Sequence, residues 1–191
     1  MKKIKDILIM IIIISFIGFC FEDLWMVFRY SLLDNRNMFL PFLFGYGLFI
    51  IVLYYVFGTP KKIFNKYEFC KPINYIIYII ICFIGVSIGE LSLGIIIEKI
   101  FNFNYWDYSS IPLHFTRYTS VPTSLGFSLI ITFFMNYLYI PLQNKIKNIS
   151  KRIPTFLVII VFLALIIDMS ISYYNMVNNG GRNVIWMINL K

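Results

Sequence analysis

Apolar residues run along this chain in blocks far longer than a core stripe or a strand needs, and the charged residues fall mostly between the blocks. Five blocks, at residues 7–28, 38–57, 74–97, 119–140 and 154–174, reach about the 20 residues that a helix needs to cross the hydrocarbon of a bilayer. Their apolar side chains are not confined to one face, so each block predicts a helix that avoids water around its whole circumference. The pattern predicts an all-α integral membrane protein with about five transmembrane helices in a single domain, residues 1–191. A first helix pair occupies 7–57, a second occupies 74–140, and a fifth helix occupies 154–174. An aromatic loop, 98–118, interrupts the second pair.

Composition points the same way: the chain is 60% hydrophobic and 14% charged, outside the usual balance of a soluble domain. Its mean hydropathy is +0.79. The opening MKKIKD leads into a block too long for a signal-peptide core and without a small-residue cleavage pattern, so the first helix is expected to stay in the mature protein. Cys20 and Cys82 fall in spans and Cys70 in a loop, which suggests small apolar fillers and no disulfide framework or zinc site. No HExxH or His/Cys ligand pattern is present, and neither a metal nor a cofactor is expected.

The net charge of +8 raises the question of nucleic acid, and its distribution answers it. Lys2, Lys3, Lys5, Lys61, Lys62, Lys66, Lys71, Lys145, Lys147, Lys151 and Arg152 lie on one side of the predicted spans; Arg29, Arg36, Lys99, Arg117, Arg182 and Lys191 lie on the other. Eleven against six in short loops places the N-terminus in the cytoplasm and the C-terminus outside the plasma membrane. Among the acids, only Asp6 and Glu68 then fall on the cytoplasmic side. The basic residues follow alternate loops and form no aromatic-interleaved platform, so no nucleic-acid partner is expected.

Two stretches share a pattern. RNMFLPFLFGYGL, from Arg36 to Leu48, and RYTSVPTSLGFSL, from Arg117 to Leu129, both read Arg, four residues, Pro, three residues, Gly, aromatic, small, Leu. Upstream, FIGFCFE ends at Glu22 and FIGVSIGE ends at Glu90. The reading is a parallel duplication of a two-helix unit, with Glu22 matched to Glu90 and Pro41 to Pro122. Each proline is expected in a first helical turn, where its missing N–H costs nothing. Gly18, Gly45, Gly47, Gly85, Gly89 and Gly126 are candidates for close helix packing.

The acids carry the candidate chemistry. Glu22, Glu90 and Asp168 fall in the three spans that run outward, each within roughly 5 to 8 Å of the midplane by the helical rise. A charge at that depth costs several kcal/mol unless it faces a partner, the bundle interior or water. The expected arrangement is a polar recess open to the outside, with Arg36 and Arg117 at its lip. The structural alternative is that Glu22 pairs with Arg29 or Arg117, and that Asp168 fastens helices. In the loop, Trp106 with Tyr105, Tyr108 and Phe115 suits a lipid interface, while Asp107, His114 and Arg117 are candidate contacts for a polar ligand.

These residues together resemble the putative ABC-transporter type IV membrane family, over most of Phe16 to Leu142. Gly18 and Glu22 in FIGFCFEDLW look like its Gly-aromatic-x-x-Glu helix, and Arg36, Phe39 and Leu40 resemble the segment leading into its second helix. Pro41, Tyr46 and Gly47 look like its Pro-rich run ending in Tyr-Gly. Glu90 resembles its third-helix glutamate, WDYSSIP its aromatic-Asp-Tyr-Ser-Pro-like loop, and Ser124, Leu125 and Gly126 its following small-residue helix entry. Phe44 stands where a second proline is common, His114 where an asparagine is usual, and Arg117 follows Thr116 instead of glycine.

The resemblance implies a membrane permease or a transport-associated subunit. The chain has no GxxxxGK[ST] phosphate loop, so ATP hydrolysis would come from a separate subunit. A membrane enzyme acting on a lipid or an exported peptide stays open, with Glu22 and Glu90 as acid and base. So does an accessory or structural envelope role. Membrane lipid is the one partner every reading shares.

Overall fold

In the computed structural model the apolar blocks close into helices: α1 (Lys2–Tyr30), α2 (Phe44–Phe57), α3 (Lys71–Phe101), α4 (Val121–Phe133), α5 (Tyr139–Ile149) and α6 (Thr155–Asn179). A π turn, Phe134–Leu138, joins α4 to α5, so residues 121–149 form one continuous helical stretch. Three short antiparallel pairs complete the fold: β1 (Leu32–Asp34) with β6 (Met187–Asn189), β2 (Gly58–Thr59) with β3 (Lys62–Ile63), and β4 (His114–Thr116) with β5 (Thr119–Ser120). The structure describes residues 2–64, 66–67, 70–102, 104 and 106–190. Tyr105 of the aromatic loop, Glu68 and Lys191 therefore lie outside the described residues, as do the side chains of Lys2 and Lys71.

Four helical stretches are long and apolar enough to cross a membrane, and α2 is a shorter apolar helix. The chain is all-α with about five such helices. The expected second span begins at residue 38, whereas α2 begins at Phe44 and rises only about 21 Å. The reason is hydrogen-bond competition from distant parts of the chain. The amides of Phe39 and Leu40 donate to the Asp168 carboxylate at 3.0 and 3.2 Å, and that of Leu43 donates to the Ser15 carbonyl at 3.1 Å. Donors satisfied in this way have no call on a helical ladder. Pro41 accordingly sits in a bent segment ahead of α2, while Pro122 occupies the first turn of α4 behind the N-cap Ser120. The shared Arg-x4-Pro pattern thus serves two different local structures.

The chain divides into two compact units, residues 1–52 with 143–191, and residues 53–142. In unit 1, Lys5 Nζ donates to the carbonyls of Ser150 and Ile153 at 2.6 and 3.2 Å, and Ser150 Oγ donates to Asp6. At the opposite ends of the helices, β1 follows α1 and β6 follows α6, paired with Leu32 opposite Asn189 and Asp34 opposite Met187. Helices α1 and α6 therefore run in the same direction. Gly180 ends α6 in the left-handed conformation, φ 59°, which a glycine adopts without a steric penalty, and the strap 181–190 turns back across the helix ends. Gly47 lets α2 lie on the Ile11 carbonyl, where a Cβ would overlap it.

In unit 2, α3 packs along α4, with Tyr78, Cys82, Met135 and Tyr139 fully buried. Tyr78 Oη donates to the Gly58 carbonyl at 2.9 Å, which fixes the β2–β3 hairpin against α3. Asn102 ends α3 in the left-handed conformation, its N–H donating to the Glu98 carbonyl.

Candidate functional site

One contact pattern occurs in both units. On α1, Gly18 and Glu22 are one turn apart on the same face. A Cβ at Gly18 would lie 2.5 Å from Tyr46 Cγ, so only glycine lets that ring rest on the helix backbone. From there the Tyr46 hydroxyl donates to Glu22 Oε1. On α3, Gly94 and Glu98 have the same spacing, a Cβ at Gly94 would overlap the Tyr118 ring, and the Tyr118 hydroxyl donates to Glu98 Oε2. Each clamp seats an aromatic ring on a bare backbone and supplies a carboxylate with a donor, which lowers the cost of holding that carboxylate near lipid. Glu98 also meets Arg117 at 3.2 Å in a half-exposed ion pair.

Unit 1 carries a cluster of buried charge around the loop after β1. Asp34 is 1% exposed; Arg36 contacts its Oδ1 through Nε at 2.7 Å and Nη2 at 2.6 Å, and Arg182 donates to its Oδ2 at 3.0 Å. Burial alone would raise the Asp34 pKa, but hydrogen bonds and charge from Arg36, with the charge of Arg182, hold it below the usual carboxylate range. Arg36 also lies 3.7 Å from Asp23. Asn35 donates to the carbonyls of Met38 and Asn183, both at 2.9 Å, and its Oδ1 accepts from the Ile185 amide at 3.0 Å. The strap is thereby tied to the loop.

Unit 2 carries a buried polar line along α4. Ser124, Ser128, Thr132 and Asn136 recur every fourth residue, each at most 5% exposed, and so share one helix face. Ser124 Oγ donates to Glu90 Oε2 at 3.1 Å and lies 3.0 Å from Thr119 Oγ1. Thr132 Oγ1 donates to Cys82 Sγ at 3.8 Å, and Ser128 Oγ donates to the Leu125 carbonyl at 2.8 Å. Asn136 sits within the π turn, a local widening that recurs at functional sites in helices.

The loop after α3 is folded. Trp106 Nε1 donates to the Tyr118 carbonyl at 2.9 Å, and the Tyr108 amide to the Arg117 carbonyl at 2.7 Å. Asp107 is exposed and accepts from the Ser109 amide at 2.7 Å. Hydrogen bonds from Ser109, with smaller help from the Arg117 and His114 charges, hold its carboxyl below the usual range. His114 is exposed, with Nδ1 2.9 Å from the Ile111 carbonyl.

Among the residues singled out in the sequence, Glu22, Arg36 and Asp168 belong to unit 1, and Glu90, Trp106, Asp107, His114 and Arg117 to unit 2. Glu22 is engaged by Tyr46. Asp168 fastens the loop before α2 through two backbone amides. Of the glycines, Gly18 and Gly47 meet close neighbours, whereas a Cβ at Gly45, Gly89 or Gly126 would find no atom within 4 Å. Asp34, Glu98, Tyr46 as a donor, Tyr118 and the α4 line were not selected from the sequence. The repeated Gly-x3-Glu spacing and the four-residue recurrence of Ser, Ser, Thr and Asn were the signals available.

The family model described as putative ABC-transporter type IV matches residues 9–173. A search of curated proteins and a search of solved structures each returned no match.

Proposed function

Because the chain belongs to the putative ABC-transporter type IV family, we propose that it is a permease subunit in the plasma membrane, paired with a separate ATPase. The observation that carries this reading is the family match across nearly all the membrane-spanning sequence. The chain's lack of a phosphate-binding loop of its own supports the second subunit. The proposed polar sites lie in the outer halves of the spans. In unit 2 such a site is Glu90 with Ser124 and Thr119, approached past Arg117, Asp107, His114 and Trp106. In unit 1 it is Glu22 with the Tyr46 hydroxyl that donates to it, and Arg36 is the nearby candidate cation on Asp23. A carboxylate has about four lone-pair sites, so one that accepts from a hydroxyl can also accept from a polar solute.

Affinity purification of the full chain from native membranes tests this reading. An ATPase is expected to co-purify, and Glu90→Gln to abolish the associated uptake or export while the chain remains in the membrane. Full transport activity from preparations free of any nucleotide-binding subunit would overturn the ABC assignment.

A further inference from the structure

The strap that follows α6 is apolar where a tail in water would be polar. Residues 183–190 carry no charge. Val184, Ile185, Trp186, Met187, Ile188 and Leu190 are all 42–60% exposed. Successive side chains of a strand point to opposite faces, so Met187 at 60% and Ile188 at 51% leave both faces of β6 apolar and open. An antiparallel ribbon with one face in water alternates apolar with polar residues. The run from Val184 to Ile188 has no such alternation.

The height of the strap is fixed by its ties to the end of α1. β6 pairs with β1, the Leu190 amide donates to the Ser31 carbonyl at 2.8 Å, and Asn183 is hydrogen-bonded to Asn35 and Asn37. Lys5, whose ammonium binds the carbonyls of Ser150 and Ile153 ahead of α6, marks the other end of the helix pair. From Lys5 to Tyr30 α1 rises about 38 Å, and α6 rises about 36 Å from end to end. The hydrocarbon of a bilayer is about 30 Å thick, and its headgroup regions bring the total to about 40–45 Å. With Lys5 at one hydrocarbon edge, the strap lies about 5–8 Å beyond the other, the smaller figure applying to a helix tilted by about 20°. That is headgroup depth, where tryptophan and tyrosine gather, and Trp25 and Tyr30 of α1 are exposed toward the same end.

We infer that residues 184–190 bind the bilayer surface, lying among the headgroups and upper acyl chains of the leaflet opposite Lys5 instead of projecting into water. A second copy of the chain, or another protein, docked on one side of so narrow a ribbon would leave its other apolar side in water. A ribbon at headgroup depth has lipid on both. Arg182 and Lys191 bracket the apolar run, and cationic side chains suit the same depth. Through Asn183 and β1 the strap fastens the loop that carries Asp34 to the membrane surface. The inference rests on unit 1 alone and holds whether or not the chain moves a solute.

The test is collision accessibility of a spin label on Met187→Cys or Ile188→Cys, one at a time, in the full chain in lipid nanodiscs. Cys20→Ala and Cys70→Ser remove the exposed thiols, and Cys82 is buried. Both labels are expected to match lipids that carry a nitroxide between headgroup and upper acyl chain, with an oxygen-to-nickel-chelate collision ratio several-fold above that of a nitroxide free in buffer. A ratio equal to that in buffer would put the strap in water and overturn the inference. Shielding from both reagents would mean that protein covers the strap, and would overturn it as well. Trp186 supplies a second measurement without labels: lipid brominated near the carbonyl end of its chains should quench the emission that Trp186→Phe removes. Quenching of that emission by aqueous acrylamide and not by brominated lipid would overturn the inference even if a labelled variant fails to fold.

Discussion

A glycine four residues before a glutamate would pass for ordinary membrane sequence, yet at Gly18 and Gly94 the missing side chain is what lets a tyrosine reach the acid. Gly18→Ala and Gly94→Ala are each expected to destabilise the chain by about 1–3 kcal/mol, the usual cost of overpacking. Gly89→Ala, where a Cβ meets open space, should stay within about 0.5 kcal/mol of the parent. Reversible unfolding of the three variants in mixed micelles measures the contrast. The sequence made Glu22 and Gly18 visible because a lone acid in an apolar block is conspicuous. It hid Glu98, because an acid at a helix end beside Lys99 looks like solvated surface, and it hid Tyr118, because the loop that delivers it has no periodicity to read. The match drawn from sequence pairs Glu22 with Glu90, whereas the tyrosine clamp recurs at Glu98. Tyr118 comes from the position aligned with Asn37, not with Tyr46, so the two clamps share chemistry without sharing sequence register.

At the scale of elements, apolar length decided which segments became helices and hydrogen-bond competition decided where they began. Four long spans were legible because nothing within them competes for backbone donors. The start of α2 was not, since it depends on Asp168, a residue far away in sequence, taking two amides from the preceding loop. The β1–β6 pair was equally invisible, because strands of three residues carry too little alternation to be recognised, and this one is secured by Asp34. Asp34→Asn is expected to free the strap at a cost of about 2 kcal/mol, below the 3–5 of a fully buried pair because Arg182 is 41% exposed on its side chain. Since the folded-state pKa of Asp34 is lowered, its contribution is complete above the unfolded value of about 3.9 and is lost as pH falls through the folded one. A spin label at residue 188, in a background without other accessible cysteines, should gain mobility in Asp34→Asn at neutral pH. In the parent it should do so only in acid.

At the scale of the whole molecule, the parallel course of α1 and α6 carries the orientation argument further than lysine counting does. The Lys5 to Ser150 contact ties one pair of helix ends, and the β1–β6 pairing joins the other pair. With the lysine-rich ends in the cytoplasm, alkaline phosphatase fused after Asn179 is expected to be active and the same enzyme fused after Ile149 inactive. The reverse result would invert the proposed topology. Membership of a transport family was legible from separated motifs. The tie between the loop after β1 and the strap was not, because it joins Asp34 and Asn35 to Arg182 and Asn183, 148 residues away in each case.

The division of unit 1 into two stretches of chain has a consequence for biogenesis. The ribosome delivers α1 first and α6 last, with all of unit 2 synthesised between them. Unit 2 is continuous and can pair α3 with α4 as soon as both have left the translocon. During that interval Glu22 already has Tyr46 and Asp23 has Arg36, but the Phe39 and Leu40 amides wait for Asp168, and Asp34 waits for Arg182. In a nascent chain of this design, water or headgroups have to satisfy the loop ahead of α2 until translation of α6 and the strap ends.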